Sequence, residues 1–150
     1  SYTLAERDAN LTILNRQLEL DWAEALARQI SHDFKKEVRA PELGFDNLKM
    51  ALEQADILVN TTSVGMSPKS EESPVPARLL KPGPIVFDVV YNPLKTRLLQ
   101  EAEAAGARII GGVDMLAWQG VLAFEKWVGK SVPLDLMRRE AIKVLERHED

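Results

Sequence analysis

Hydrogen-bonding side chains follow three apolar runs of this chain, at the point where each run ends. After residues 11–14 come Asn15 and Arg16, after residues 57–59 comes the polar segment 60–66, and residues 85–90 lead into Tyr91. In an open parallel sheet, ligands bind in the crevice beyond the carboxyl ends of the strands. Guanidinium, amide, hydroxyl and phenol groups at that edge suit phosphates and hydroxylated ligands. The pattern predicts a nucleotide-binding α/β domain.

Arg16 bears on the choice of nucleotide. An NAD-binding fold places an acidic residue after its second strand to accept hydrogen bonds from the adenosine ribose, and here that position is basic. A guanidinium offers a rigid fork of donors to phosphate oxygens, so it favours the 2′-phosphate of NADP. The alternative is a strand-end arginine that is simply solvated. With a single arginine as the only evidence, that alternative would be favoured over a phosphate site.

The other candidate residues also have plain structural interpretations. Residues 60–66 suit the phosphates and adenosine of a dinucleotide, yet Thr and Ser also cap turns. Tyr91 can reach a polyol or carboxylate, or pack its ring and keep its hydroxyl in water. Gln119 is either a ligand-binding amide or an exposed helix residue. Asp88 resembles a catalytic acid, but within a buried strand it is expected to accept hydrogen bonds from nearby backbone.

Composition excludes several classes of function. The formal net charge is −4 with both signs interspersed, which argues against a nucleic-acid partner. Without cysteine, and with His32 and His148 standing alone, no metal site is predicted. No apolar run approaches the roughly 20 residues of a membrane span, and no leader is recognisable, so we expect a cytoplasmic protein without a membrane partner. No pair or triad of residues makes a proton-transfer centre.

These residues require a sheet and helices to position them. Hydrophobic periodicity predicts strands at 11–14, 36–40, 55–60, 85–90 and 107–110, and a helical tail at residues 1–9. Further helices are predicted at 18–30, at 47–54 with Asp46 as cap, at 95–105 ended by Gly106, at 114–128 and at 133–149. The first of these helices is expected to face the sheet through Leu18, Trp22, Leu26 and Ile30. Trp22, Trp118 and Trp127 are expected in a core or an interface.

Four ordered blocks of the sequence resemble a known family. They are Asn15-Arg16, residues 55–66, residues 88–96, and residues 111–120, which read GGVDMLAWQG. Together they resemble the C-terminal, NADP-binding domain of the shikimate dehydrogenase family, whose near relatives include quinate/shikimate dehydrogenases. The resemblance covers essentially all of residues 1–150. It implies a Rossmann-like, doubly wound parallel sheet that lacks its first strand and glycine-rich loop.

The resemblance also implies an activity and a role for particular residues. The activity is reversible hydride transfer between NADPH and 3-dehydroshikimate to give shikimate, in aromatic amino-acid biosynthesis. The implied NADP-binding residues are Asn15, Arg16 and Gln17 at the 2′-phosphate, Thr61, Thr62 and Ser63 on the adenine side, and Val89, Gly112 and Met115 near the nicotinamide. The implied substrate-binding residues are Tyr91 and Gln119.

The chain departs from the family pattern at several points. Gln17 replaces the usual Thr, Leu20 replaces a second basic residue, and Asp8 stands where a glycine usually ends the first helix. The glycine-rich loop, the first strand and the N-terminal domain with its catalytic Lys and Asp lie outside this sequence. We therefore expect residues 1–150 to be one NADP-binding domain of a longer enzyme, with no catalytic residue of its own and no turnover alone.

Three alternatives stay open at this point. The chain could serve a stand-alone nucleotide-binding or interaction module without catalysis. It could also serve a dehydrogenase that uses quinate, or one that uses NAD. The expected partners are a small-molecule substrate and the missing N-terminal domain of the same enzyme, and a homodimer is left open.

Overall fold

A computed structural model describes residues 1–146 of the chain. The backbone divides into two compact units, Ser1–Gln54 and Ala55–Asp150. The assignment of residues 1–150 to one NADP-binding domain stays a prediction.

The first unit contains three helices, α1 (Tyr2–Glu6), α2 (Leu20–Phe34) and α3 (Phe45–Gln54). The predicted helix at the start of the chain is confirmed. Asp8 follows α1 with a φ of 71°, the left-handed conformation expected at that position. Lys36 forms an ion pair with Asp8, and its hydrogen bond and positive charge lower the pKa of the Asp8 carboxyl. The Tyr2 ring meets Phe34 edge-on, with ring centroids 5.4 Å apart.

The buried face of α2 differs from the predicted one. Its buried residues are Ala23, Ala27 and Ile30, whereas Leu18 is 98% exposed and Trp22 is 81% exposed. The predicted stripe was wrong at Leu18 because residues 17–19 form a 3-10 turn before the α-helix starts. The spacing of Ala23, Ala27 and Ile30 is itself helical, so the helix packs through small side chains. The start of α3 also differs: Leu48 donates to the Gly44 carbonyl, which places Asp46 in the first turn instead of at the cap.

Residues 11–15 and 39–42 pair in parallel but form no continuous strands. Thr12 bridges Arg39 and Asn15 bridges Glu42 in a single register. In that register residue 41 should donate between the two bridges, and Pro41 has no N–H. The strands predicted at 11–14 and 36–40 are therefore reduced to isolated bridges, because proline interrupts their ladder.

The second unit is built on a three-stranded parallel sheet. Its strands are β1 (Ile57–Asn60), β2 (Ile85–Asp88) and β3 (Arg108–Ile110), in the order β1-β2-β3. Ile57 pairs with Ile85 and Asn60 with Asp88, so β1 and β2 end at the same level. The predicted strands in this half of the chain are confirmed. Their carboxyl ends bring residues 60–63 and 88–91 to one edge.

Residues 55–146 also contain three α-helices: α4 (Arg97–Ala104), α5 (Gly112–Val128) and α6 (Leu134–Glu146). Leu98, Leu99 and Ala102 of α4 are buried, as is Val86 of β2. Gly106 follows α4 with a φ of 83°, as expected of a helix end. The predicted α6 extends to residue 149, and residues 147–149 lie outside the described part of the chain.

Trp118 and Trp127 of α5 are not core residues. They are 52% and 82% exposed, because the buried side of α5 consists of Gly112, Val113, Ala117 and Val121. The core interpretation of the tryptophans is therefore wrong, and the interface interpretation stays a prediction. Within residues 1–146, no helix combines the length and the apolar character that a membrane crossing requires.

Candidate functional site

Asp88, the last residue of β2, is a fully buried carboxylate with a complete set of partners. Its Oδ1 accepts from the Val90 backbone N–H at 3.1 Å and from the Asn60 Nδ2 at 3.0 Å. Its Oδ2 accepts from the Thr96 hydroxyl at 2.6 Å. A buried carboxylate is tolerated only when hydrogen bonds replace its lost hydration. Asp88 therefore ties the end of β2 to the end of β1 and to the start of α4.

Asn60, at the end of β1, organises the turn that follows. Its Oδ1 accepts from the Thr62 backbone N–H at 3.0 Å and from the Thr62 hydroxyl at 2.7 Å. The Thr62 hydroxyl oxygen in turn accepts from the Val64 N–H at 3.2 Å. These local bonds form the turn of a short polar segment. The side chain of Thr62 is thus partly engaged in structure. Thr61 and Ser63 are exposed.

A cleft of about 410 Å³ lies beyond the carboxyl ends of β1 and β2, within the second unit. It is lined by Thr61, Thr62, Ser63, Met66, Ser67, Val89, Val90, Tyr91 and Asn92. The Ser67 N–H donates to the Asn92 carbonyl at 3.0 Å, which joins the two lining segments. The sheet thus brings the predicted residues Thr61, Thr62, Ser63, Val89 and Tyr91 to one place.

The start of α5 packs closely on the same strand end. A Cβ added at Gly112 would lie 2.4 Å from the Val89 carbonyl oxygen and 2.5 Å from that of Val90. Only glycine permits this approach, because such distances are far inside van der Waals contact. Gly112, Met115 and Gln119 are spaced three and seven residues apart, so they share one face of α5. Met115 is half-buried and Gln119 is exposed, and neither lines the cleft.

Asn15, Arg16 and Gln17 belong to the first unit. The Asn15 side chain shapes the turn, because its Oδ1 accepts from the Arg16 N–H at 2.9 Å and its Nδ2 donates to the Glu19 carbonyl at 3.2 Å. The Arg16 side chain is 74% exposed, and its Nη2 lies 3.2 Å from both carboxylate oxygens of Glu19. Gln17 is exposed at the start of the 3-10 turn. Arg16 therefore presents a donor fork to solvent, but shares it with a carboxylate.

Sequence reasoning overlooked several residues of the cleft and of the turn that carries Arg16. Asn92 and Ser67 line the cleft, and their closeness in sequence to Tyr91 and to the predicted segment 60–66 was the available signal. Glu19 was also overlooked, although its spacing of three residues from Arg16 was visible. Within residues 1–146, no three His, Asp or Glu side chains are grouped so as to hold a metal ion.

Comparison with known proteins gives consistent likenesses. Residues 112–142 match the family model of the shikimate 5′-dehydrogenase C-terminal domain. A shikimate dehydrogenase (NADP(+)) of Dehalococcoides mccartyi strain CBDB1 is 41% identical over 149 residues, which are 99% of this chain and 51% of the relative.

Solved structures are similar over the same extent. A shikimate dehydrogenase crystallised with NADP+ matches with a TM-score of 0.82 and 34% identity, over 96% of this chain and 49% of the other. A Listeria monocytogenes shikimate 5-dehydrogenase in complex with shikimate and NAD matches with a TM-score of 0.81 and 33% identity, over 91% of this chain and 50% of the other. The likeness confirms the predicted Rossmann-like α/β class. The chain spans about half the length of the relatives it matches.

Proposed function

Because the chain belongs to the shikimate dehydrogenase family, in the stretch that forms its C-terminal domain, we propose that it is the coenzyme-binding half of an NADP-dependent shikimate dehydrogenase. The whole enzyme would transfer hydride reversibly between NADPH and 3-dehydroshikimate to give shikimate. The observation that carries this proposal is the cleft at the carboxyl ends of β1 and β2, lined by residues 61–63 and 89–91. Parallel α/β sheets bind their nucleotides at this edge.

The chemistry of the available groups fits NADP. The Arg16 guanidinium is exposed and offers paired donors, which suit the 2′-phosphate of the adenosine. We also assign Asn15 and Gln17 to the 2′-phosphate, because these residues belong to the turn that presents Arg16. Thr61, Thr62 and Ser63 supply hydroxyl and backbone groups for the adenine side. The bound coenzyme supplies the hydride, and this chain holds and orients it.

We assign the nicotinamide end to the segment where α5 meets β2. Val89 would contact the coenzyme through the strand end, and Gly112 permits the close packing of helix on strand. Met115 would offer an apolar thioether to the ring. Tyr91 and Gln119 would donate hydrogen bonds to the hydroxyl and carboxylate groups of shikimate. These roles rest on the family resemblance and on the position of each residue.

We propose that proton transfer belongs to the N-terminal half of the same enzyme. Asp88, the buried carboxylate nearest to the cleft, already accepts three hydrogen bonds and so serves structure. The chain's span of about half its relatives' length supports a further substrate domain that carries the catalytic Lys and Asp. We propose that the glycine-rich loop for the pyrophosphate also belongs to the rest of the enzyme.

One observation favours a second candidate, an enzyme that uses NAD. Glu19 lies beside Arg16, and a carboxylate near the adenosine ribose is the usual acceptor for NAD. Use of quinate is a further variant of this candidate. A cytoplasmic location and a homodimer stay predictions, to be checked by cell fractionation and by light scattering of the full-length protein.

Steady-state kinetics of the full-length enzyme that contains this chain tests the proposal. We expect NADP-dependent oxidation of shikimate, with quinate and NAD as poorer substrates. Arg16→Ala should raise the KM for NADP by about 10-fold to 100-fold, the loss expected for hydrogen bonds to a charged group. The KM for NAD should change little, because NAD lacks the 2′-phosphate.

Arg28→Ala is the matched control. Arg28 is similarly exposed and pairs with Glu24 across 3.3 Å on α2, so its removal takes away an equivalent charge and ion pair. Equal effects of the two arginine substitutions on NADP would contradict the role of Arg16. Lack of shikimate-dependent coenzyme reduction by the full-length wild-type protein would contradict the proposed activity, and coenzyme binding without turnover would favour a non-catalytic module.

A further inference from the structure

Glu19 pairs with the Arg16 guanidinium, the group that binds the 2′-phosphate in the proposed function. Both of its carboxylate oxygens lie 3.2 Å from the same nitrogen, Nη2 of Arg16. Both side chains face solvent, 74% exposed for Arg16 and 49% for Glu19. A phosphate arriving at Arg16 therefore meets a carboxylate that already uses part of the donor fork.

The backbone keeps the two side chains together. Residues 17–19 form a 3-10 turn, and the Glu19 N–H donates to the Arg16 carbonyl at 2.9 Å. In a 3-10 turn residues three apart lie on the same side, so the pairing follows from local geometry. The Asn15 amide adds a bond to the Glu19 carbonyl at 3.2 Å. The turn thus holds the backbone of Glu19 beside Arg16, with the two side chains on the same side.

The carboxylate affects the two coenzymes in opposite ways. Its negative charge repels the doubly charged 2′-phosphate of NADP and competes with it for Arg16. In NAD the same position carries a ribose hydroxyl, which a carboxylate accepts as a hydrogen bond. Glu19 therefore weakens NADP binding and supports NAD binding at one site.

We propose that Glu19 is a specificity-determining residue, which lowers the selectivity of the coenzyme site for NADP over NAD by sharing the Arg16 guanidinium. This inference rests on the proposed function of Arg16. It predicts an enzyme that prefers NADP less strongly than Arg16 alone would dictate. The pair has little role in stability, because exposed ion pairs contribute little and Glu19 makes no side-chain cap bond to α2.

Coenzyme binding by the full-length protein tests this inference. Dissociation constants for NADP and NAD would be measured by calorimetry for the wild type, Glu19→Gln and the control Glu24→Gln. Glu24 pairs with Arg28 at 3.3 Å with similar exposure, so it matches Glu19 in charge and partner. We expect Glu19→Gln to raise the ratio of NADP to NAD affinity by about five-fold or more, and Glu24→Gln to leave it within about two-fold.

A double-mutant cycle separates competition for Arg16 from repulsion through solvent. In an Arg16→Gln background, the gain in NADP affinity from Glu19→Gln should fall by at least about half, because no guanidinium remains to be released. Retention of the full gain there would overturn the competition mechanism. In Glu19→Gln, added salt should change the ratio of NADP to NAD affinity less than it changes the NADP affinity itself.

The outcomes distinguish this inference from the proposed function. If wild-type protein binds NADP but Glu19→Gln leaves the affinity ratio within two-fold of the wild type, Glu19 does not set specificity and only this inference falls. If wild-type protein binds neither coenzyme at millimolar concentration, the proposed function falls, and this inference falls with it. A gain equal to that of Glu24→Gln would reduce the effect to net charge and would also overturn it.

Discussion

Tyr91 carries the clearest functional expectation at the scale of single residues. It comes three residues after the end of β2 at Asp88, lines the strand-end cleft and is 43% exposed, so its ring is not needed to fill the core. A phenol in that position can donate to a hydroxylated substrate while its ring stays against the cleft wall. Its identity as a binding group was predicted from its place after an apolar run. The binding role stays a prediction.

We expect Tyr91→Phe in the full-length enzyme to raise the KM for shikimate about five-fold, the loss of one hydrogen bond of roughly 1 kcal/mol. The KM for NADP and the unfolding midpoint should be unchanged, because the ring is retained. Tyr2→Phe removes a comparable hydroxyl from the first unit, where it bonds to Asp33, and serves as the control. An unchanged KM for shikimate in Tyr91→Phe would remove this residue from the site.

Contacts between helices and strands hold the cleft in place. Thr96 is the N-cap of α4 and accepts from the Leu99 N–H at 3.4 Å, while its hydroxyl donates to Asp88 at 2.6 Å. Thr96 is fully buried, so water cannot replace either bond. One side chain thus joins the start of a helix to the end of a strand.

Thr96→Val should destabilise the protein by about 2 to 4 kcal/mol, because it removes a cap and leaves a buried carboxylate short of a donor. Thr96→Ser keeps the hydroxyl and should cost about 1 kcal/mol, for the lost methyl group. Urea unfolding of the two variants measures the difference. Equal stabilities of the two variants would contradict a larger contribution of the hydroxyl than of the methyl group.

Gly112 makes a second contact between a helix and a strand. Gly112→Ala would place a Cβ 2.4 Å from the Val89 carbonyl oxygen, so α5 or the strand end must shift. We expect a loss of about 1 to 3 kcal/mol in stability, as for other overpacked sites, and weaker coenzyme binding. Thermal unfolding and coenzyme titration measure these two effects.

Gly120→Ala is the matched control in the same helix. Its added methyl would meet the Met137 sulfur at 3.7 Å, an ordinary contact. Alanine in a helix interior is more stable than glycine by about 0.5 to 1 kcal/mol, so this variant should be unchanged or more stable. If Gly112→Ala behaved like Gly120→Ala, the close approach of α5 to β2 would be contradicted.

At the scale of the whole molecule, the sheet of the second unit has an open edge. β1 pairs with β2 on one side, and no described strand pairs on its other side. Ile57 at the start of β1 is 51% exposed. An exposed strand edge with an apolar residue is a site for pairing with further chain. This supports the proposal that the 150 residues work within a longer enzyme.

We therefore expect the isolated 150-residue chain to give no shikimate-dependent NADPH formation, whereas the full-length enzyme does. The physical reason is that the residues lining the cleft with Tyr91 include no Lys, His, Asp or Glu, and that the nearby Asp88 carboxylate already accepts three hydrogen bonds. Absorbance at the NADPH band measures the rate. A clear steady-state rate from the isolated chain would refute the division of labour proposed between the two halves.

Local pattern was enough to predict the three strands of the second unit, although β2 ends at Asp88 and not at residue 90. Short apolar runs bounded by polar residues placed β1, β2 and β3, and the alignment of parallel strands then required residues 60–63 and 88–91 to share an edge. Asp88 was correctly expected to be hydrogen-bonded. The binding roles of the predicted site residues stay predictions.

Tertiary structure decided the features that depend on atoms from other segments of the chain. The buried face of α2 was predicted at partly different residues, and the interruption of the ladder of residues 11–15 by Pro41 was absent from the predictions. The pairing of Arg16 with Glu19, which the local 3-10 turn sets, was absent as well. Periodicity along the chain indicates that a residue is apolar or polar, but burial and pairing depend on what other segments bring to it. The sequence by itself therefore determined the class of fold and the polar edge of the sheet, and the folded chain determined which of those groups are free to meet a ligand.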